Sequence, residues 1–183
     1  LKDGKGRYLF PGLINTHTHL YQDIMKGMGS DLSLEDWFPK SMAPAGAVLR
    51  ERHVAAGVKL GLAEAIRCGV TTVADYMQLQ PVKGLGKLEL DIAKDMGVRM
   101  VYGRGYRDIG KKELVEKAED VFADVTALKE EFEGDGMYRV WLAPAAGWGA
   151  SLELLKATRE YADRNATPIM MHMFETGTDD KIS

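Results

Sequence analysis

Short β-branched apolar runs alternate with longer amphipathic stretches along this 183-residue chain, and no other feature restricts its fold as strongly. The first run is "GLINT", followed by an excursion to about residue 50. The segment "ERHVAAGVKLGLAEAIRCG" then repeats Val54, Val58, Leu62 and Ile66 in steps of four, one face of a helix. Gly69 stops that helix, and "VTTVAD" reads as a buried strand. The cycle recurs. Leu88, Ile92 and Met96 share a face over residues 85–96, with Gly97 as the C-cap, and "VRMVYG" follows as a strand. Residues 111–132 carry Leu114, Ala118, Val121, Val125, Leu128 and Phe132 on one stripe, and "YRVWLA" comes next. Ser151 is placed to N-cap a helix bearing Leu154, Leu155, Thr158 and Ala162, before the run "TPIMMH".

Five strands alternating with helices imply a parallel sheet built from right-handed crossovers. Such a sheet is doubly wound or closed. No glycine-rich dinucleotide fingerprint follows the first strand, and no GxxxxGK loop occurs anywhere. The expected fold is therefore α/β, a (β/α)8 TIM barrel. Eight units need about 250 residues, so the chain would cover roughly the first five strands, with both ends truncated. Half a barrel leaves strand edges unpaired and is not expected to be stable alone.

Composition narrows the function classes. With 45% hydrophobic residues, 28% charged residues and a net charge of -3, the chain is ordinary globular protein. That charge offers no electrostatic reason to bind nucleic acid or an anionic membrane. No apolar run approaches the roughly 20 residues that span a bilayer. The opening "LKDGKGRYLF" lacks a signal-peptide core and reads as a charged turn followed by a short strand, "YLF". The single cysteine, Cys68, excludes an internal disulfide and suits a reducing cytoplasm. Its helical, apolar context predicts a buried structural thiol.

In a barrel of this type the chemistry gathers at the C-terminal ends of the strands. The first run delivers His17 and His19, the second Asp75, and the third leads into Arg104, Arg107 and Asp108. The fourth ends at Pro144 followed by "AAGW", and the fifth delivers His172 with Glu175 three residues on. Three of the four histidines thus fall at two strand ends of one mouth. Residues i and i+2 of a strand face the same side, so His17 and His19 can converge on one ion. A catalytic zinc typically takes three protein ligands and keeps a position open, and His172 is the natural third. His53, at the start of a helix, reads as a solvated or capping residue. Arg104 reads as half of a structural ion pair with Asp75 or Asp108.

The stretches "PGLINTHTHL", "GVTTVADY", "MGVRMVYGRGYRD" and "PIMMHMFET" together resemble the amidohydrolase superfamily. Within it they are similar to the aromatic-amine deaminase and chlorohydrolase branch, which includes cytosine, guanine, 8-oxoguanine and adenosyl-homocysteine deaminases and triazine hydrolases. The resemblance covers essentially the whole chain. It implies a (β/α)8 barrel over residues 11–183, with residues 1–10 ending a β-sandwich lobe. It implies metal ligands at His17, His19 and His172, and Glu175 as the proton shuttle of an HxxE motif. It implies one divalent ion, zinc with iron as the alternative, and a homodimeric cytoplasmic enzyme. The family's sixth-strand histidine and eighth-strand aspartate lie beyond this chain. The polar loop that many relatives carry after the fourth strand is "APAAGWGAS" here, so its substrate contacts do not carry over. The lysine that bridges two metals in binuclear members is absent from "YRVWLAP", which favours a mononuclear site.

The implied chemistry is hydrolytic deamination of a purine, pterin, pyrimidine or triazine ring by metal-activated water. A bound metal lowers the pKa of water from 15.7 toward about 7, and Glu175 would move protons to the ring nitrogen and to departing ammonia. Zinc deaminases of the PCxxC type are excluded, because the chain has one cysteine. The excursion "YQDIMKGMGSDLSLEDWFPKSMAP" would cover the mouth, with Gln22, Glu35 and Trp37 as substrate contacts; the competing reading is a packed lid with Trp37 buried and Glu35 starting a helix. Trp148 reads as a packing residue. Two further readings stay open: a chlorohydrolase or cyclic-amide hydrolase using the same site, and an inactive fragment or binding half-barrel.

Overall fold

The computed structural model describes residues 3–145, 147 and 149–177. Four parallel strands, β1 (Leu13–Thr18), β2 (Val70–Met77), β3 (Arg99–Tyr106) and β4 (Tyr138–Pro144), lie side by side in chain order. The excursion after β1 contains the short helices α1 (Leu34–Trp37) and α2 (Ala43–Val48), and α3 (Glu51–Arg67) leads into β2. Helices α4 (Leu85–Met96) and α5 (Ala118–Phe132) make the next two crossovers, and α6 (Leu152–Asn165) follows β4. Sequential parallel strands with a helix between each pair are consecutive βα units, the α/β arrangement from which a (β/α)8 barrel is built.

The core lies where the helices cover the sheet. Val54, Val58 and Leu62 of α3, Leu90 and Ala93 of α4, and Val121 and Val125 of α5 are buried against Val73, Met100, Val140 and Leu142 of the strands. Helix ends follow local chemistry. Gly97 takes a left-handed conformation that closes α4, and the Ser151 hydroxyl accepts the Leu154 amide at the start of α6. His53 caps α3, its Nδ1 accepting the Arg50 amide at 3.1 Å.

Several expectations from the sequence are corrected. The stripe over 111–132 is helical only from Ala118, because the preceding residues are pinned as a loop. The Glu116 amide donates to the Arg107 carbonyl at 2.9 Å and Lys117 is extended, while Leu114 stays buried from within a turn. Ile66, the last step of the α3 stripe, is exposed, and so is Cys68, which lies at the C-cap rather than inside the helix. "YLF" forms no strand; Tyr8, Leu9 and Phe10 are exposed, with no neighbouring strand among the described residues to pair with. The fifth strand is reduced to one parallel bridge, Leu142 with Ile169, supported by the Leu142 amide on the Pro168 carbonyl (3.0 Å) and the Met170 amide on the Leu142 carbonyl (2.9 Å). Trp148 lies outside the described residues.

Candidate metal centre

The centre is built where β1 ends. The pairing of β1 with β2 shifts register between Asn15 and Thr18, an irregularity that re-aims the strand terminus. There His17 stands beside His19, their ring centroids 4.9 Å apart and nearly perpendicular. His172, arriving along the β4 edge, brings its Nε2 to 3.2 Å from Nε2 of His17, and its ring stacks on His19 at 5.2 Å. One ring nitrogen from each of the three histidines falls within 4.8 Å of the others.

Tyr76 organises this cluster. Its carbonyl accepts a hydrogen bond from His19 Nδ1 at 2.7 Å, its hydroxyl donates to the Pro144 carbonyl at 2.7 Å, and its ring meets that of His172 at 4.5 Å. Burial pushes the His19 pKa down to about 4, opposed by the bond to Tyr76 and assisted by the charges of His172 and His17. Burial and the His17 charge also lower that of His172. Neutral imidazole is the form that ligates a metal, so the donor set suits an ion such as zinc.

Glu175 lines the same cavity as His19 and His172. Trp37, only half-buried, lines it too and reaches the wider cleft that contains His17 and Gln22. The indole Nε1–H of Trp37 donates to the Met28 carbonyl at 3.2 Å, and the Gln22 amide to the Tyr21 hydroxyl at 3.3 Å. Glu35 lies in the first turn of α1 but outside both linings; its carboxylate accepts from the Thr176 hydroxyl at 3.2 Å, which ties α1 to the segment bearing Glu175.

Two residues expected at the mouth lie elsewhere. Asp75 is completely buried within β2, where it accepts the Leu20 amide at 2.6 Å and faces Glu89 of α4. Arg104 forms ion pairs, but with neither expected partner. It grips Glu116 with two nitrogens, at 2.9 and 2.7 Å, and Asp124 with Nε at 2.7 Å. Asp108 accepts from both the amide and the hydroxyl of Ser151. Arg107 is the cation that reaches the cavity, beside Phe38 and Gln78. Position in the sequence does not distinguish Arg107 from Arg104, and the only sequence signal for Tyr76 is that it directly follows Asp75 at the end of β2.

A family model described as the amidohydrolase family matches residues 8–183. The 5'-deoxyadenosine deaminase of Methanobrevibacter smithii is 34% identical over 180 residues, which cover 95% of this chain and 38% of that protein. The chain therefore spans well under half the length of that relative. The zinc complex of atrazine chlorohydrolase from Arthrobacter aurescens superposes with a TM-score of 0.86 at 22% identity, covering 94% of this chain and 42% of the other, a likeness of fold. A zinc-bound adenosine deaminase from Xanthomonas campestris gives a TM-score of 0.80 at 26% identity over 92% of this chain and 37% of its own.

Proposed function

The chain belongs to the amidohydrolase family, and on that premise we propose that it carries the metal-binding part of a hydrolase that deaminates an aminated N-heterocycle of purine, pterin, pyrimidine or triazine type. The observation that carries this reading is the convergence of His17, His19 and His172 on one point, with Glu175 on the wall of the same cavity. The three histidines would hold one divalent ion, zinc in the first instance. When bound, the ion supplies a water activated for attack at neutral pH.

The chain's own residues then have separable tasks. The Tyr76 carbonyl holds the His19 ring with its Nδ1 protonated. Trp37, Phe38 and Tyr76 present aromatic surfaces along which a flat ring can lie. Glu175 takes one proton from the attacking water and passes it to the ring nitrogen, then takes the second from the newly formed C–OH group and delivers it to the departing amine. A C–O bond forms, the exocyclic C–N bond breaks, and ammonia leaves. Residues 1–10 belong on this reading to a β-sandwich lobe, and the enzyme works in the cytoplasm as a homodimer on small molecules. Among the described residues no helix is long and apolar enough to cross a membrane.

The test is metal analysis of the intact protein together with ammonia release from a panel of aminated heterocycles. Bound metal with ammonia release is the expected result. Metal with chloride release or ring opening instead would reassign the leaving group, and protein that retains no metal in any preparation would overturn the reading.

A further inference from the structure

His19 is held from β2 by two consecutive residues. The Tyr76 carbonyl accepts its Nδ1–H, and Asp75, one residue earlier, reaches the chain just past the histidine: its Oδ1 accepts the Leu20 amide at 2.6 Å. Leu20 opens a short 3-10 helix, Leu20–Met25, and His19 stands at its N-cap position without capping it through its own side chain. The first amides of a helix have no partners within it. Asp75 supplies from the neighbouring strand the acceptor that a serine or aspartate N-cap would supply locally.

The other side of this short helix is fixed by α3. Gly57 and Gly61, about one turn apart, leave a notch there: a Cβ at Gly57 would come within 2.7 Å of the Tyr21 carbonyl oxygen, and one at Gly61 within 2.6 Å of the Leu20 side chain. Leu20 and Tyr21 are accordingly buried. Asp75 itself is fully buried and lines neither cavity that the histidines reach. Among the described residues its Oδ2 has only the carboxyl of Glu89 as a partner, and Glu89 is wholly buried on α4. A carboxyl pair short of donors costs stability that two apolar side chains of similar volume would not. Packing alone therefore does not account for Asp75; what its carboxyl secures is the backbone beside His19.

We propose that Asp75 is a positioning residue for metal binding: by holding the Leu20 amide it sets the direction in which the chain carries His19 off the end of β1, and so where the free nitrogen of that ring points. This rests on the metal-centre reading above and adds to it a residue outside the ligand set.

The test uses the full chain. Zinc affinity is measured by chelator competition, ligand geometry by the absorption bands of the cobalt-loaded protein, and the Leu20 amide by hydrogen exchange in the metal-free protein. Asp75→Ala should weaken zinc binding about 10- to 100-fold, the range for groups that orient a ligand, shift the cobalt bands and speed exchange at Leu20. Asp75→Asn keeps an oxygen for that amide and offers Glu89 a donor, and should restore all three. Val125→Ala, a buried change on α5, lowers stability but should leave zinc affinity and the cobalt bands as they are, which separates positioning from a general loss of stability. If Asp75→Ala does not fold, Asp75→Val combined with Glu89→Leu removes both carboxyls and leaves neither stranded, and the same loss of zinc affinity is expected. Wild-type zinc affinity in the Ala or the double variant overturns the proposal, as does a wild-type Leu20 amide that exchanges like one in an open loop. Wild-type protein that binds neither zinc nor cobalt overturns the metal reading itself, a result distinct from zinc retained without Asp75.

Discussion

His19 donates its Nδ1–H to the carbonyl oxygen of Tyr76 across 2.7 Å, and this determines which nitrogen of the ring is left for a ligand. A carbonyl can only accept, so Nδ1 carries the proton and Nε2 keeps its lone pair. Holding one tautomer in advance removes a choice that an unanchored imidazole would have to make on binding.

The three histidines are expected to behave as a set. His17→Ala, His19→Ala and His172→Ala should each weaken zinc binding by more than about 100-fold, beyond the 10- to 100-fold typical of changes to groups that only support a ligand. Competition against a chelator of known affinity measures this. A variant that keeps stoichiometric zinc is not a ligand position.

Glu175→Gln keeps the size of the side chain and removes its capacity to take up a proton. Ammonia release should fall by about 10²- to 10⁴-fold, the usual contribution of a positioned acid–base group, with zinc content unchanged. Full activity in this variant would end the shuttle assignment.

The buried carboxyls make stability depend on pH. Among the described residues, Asp75 Oδ2 and both oxygens of Glu89 find no donor except each other. Burial raises the Asp75 pKa to about 6, and burial together with the Asp75 charge raises that of Glu89 well above the ordinary range. The folded state therefore holds protons that the unfolded chain has released. The stability they support is complete below about pH 4 and is lost as pH rises through 6 and beyond. For Asp75 alone the loss is on the order of 3 kcal/mol. Glu89→Gln supplies a permanent amide donor and should flatten this dependence, raising stability at pH 8 relative to pH 5 in urea unfolding. A slope as steep as wild type would show that the pair does not share a proton.

Arg104 and its carboxylates should respond asymmetrically. The Arg104 side chain is 6% exposed, whereas Glu116 and Asp124 retain 22% and 36%. Replacing both acids by alanine strands a buried guanidinium and should cost about 3–5 kcal/mol. Arg104→Met frees two carboxylates that can turn toward water and should cost less. Chemical denaturation of both variants orders them.

The order of strands and helices was legible because period-two and period-four patterns survive in β2, β3, β4, α3 and α6. The convergence of the three histidines was legible for a related reason: parallel strands put their ends on one side, so His17, His19 and His172 could be placed together without knowing any distance. Other features depended on contacts that periodicity does not encode. The delayed start of α5 follows from one amide bond to Arg107. The burial of Glu89 comes from its facing Asp75, since nothing in the α4 pattern sets that glutamate apart from exposed ones. The separation of Arg104 from Arg107 follows from strand alternation: one lies within β3 and turns toward α5, while the other stands just past the strand end and turns into the cavity.

Tyr76 grips His19 through its carbonyl, Pro144 through its hydroxyl and His172 through its ring. The geometry of the histidine cluster is thereby referenced to the ends of β1, β2 and β4, and not to the connections that roof the mouth. Those connections contribute Trp37 and Phe38 to the cavity but none of the three histidines. The roof can therefore be altered by substitution without moving the three histidines beneath it.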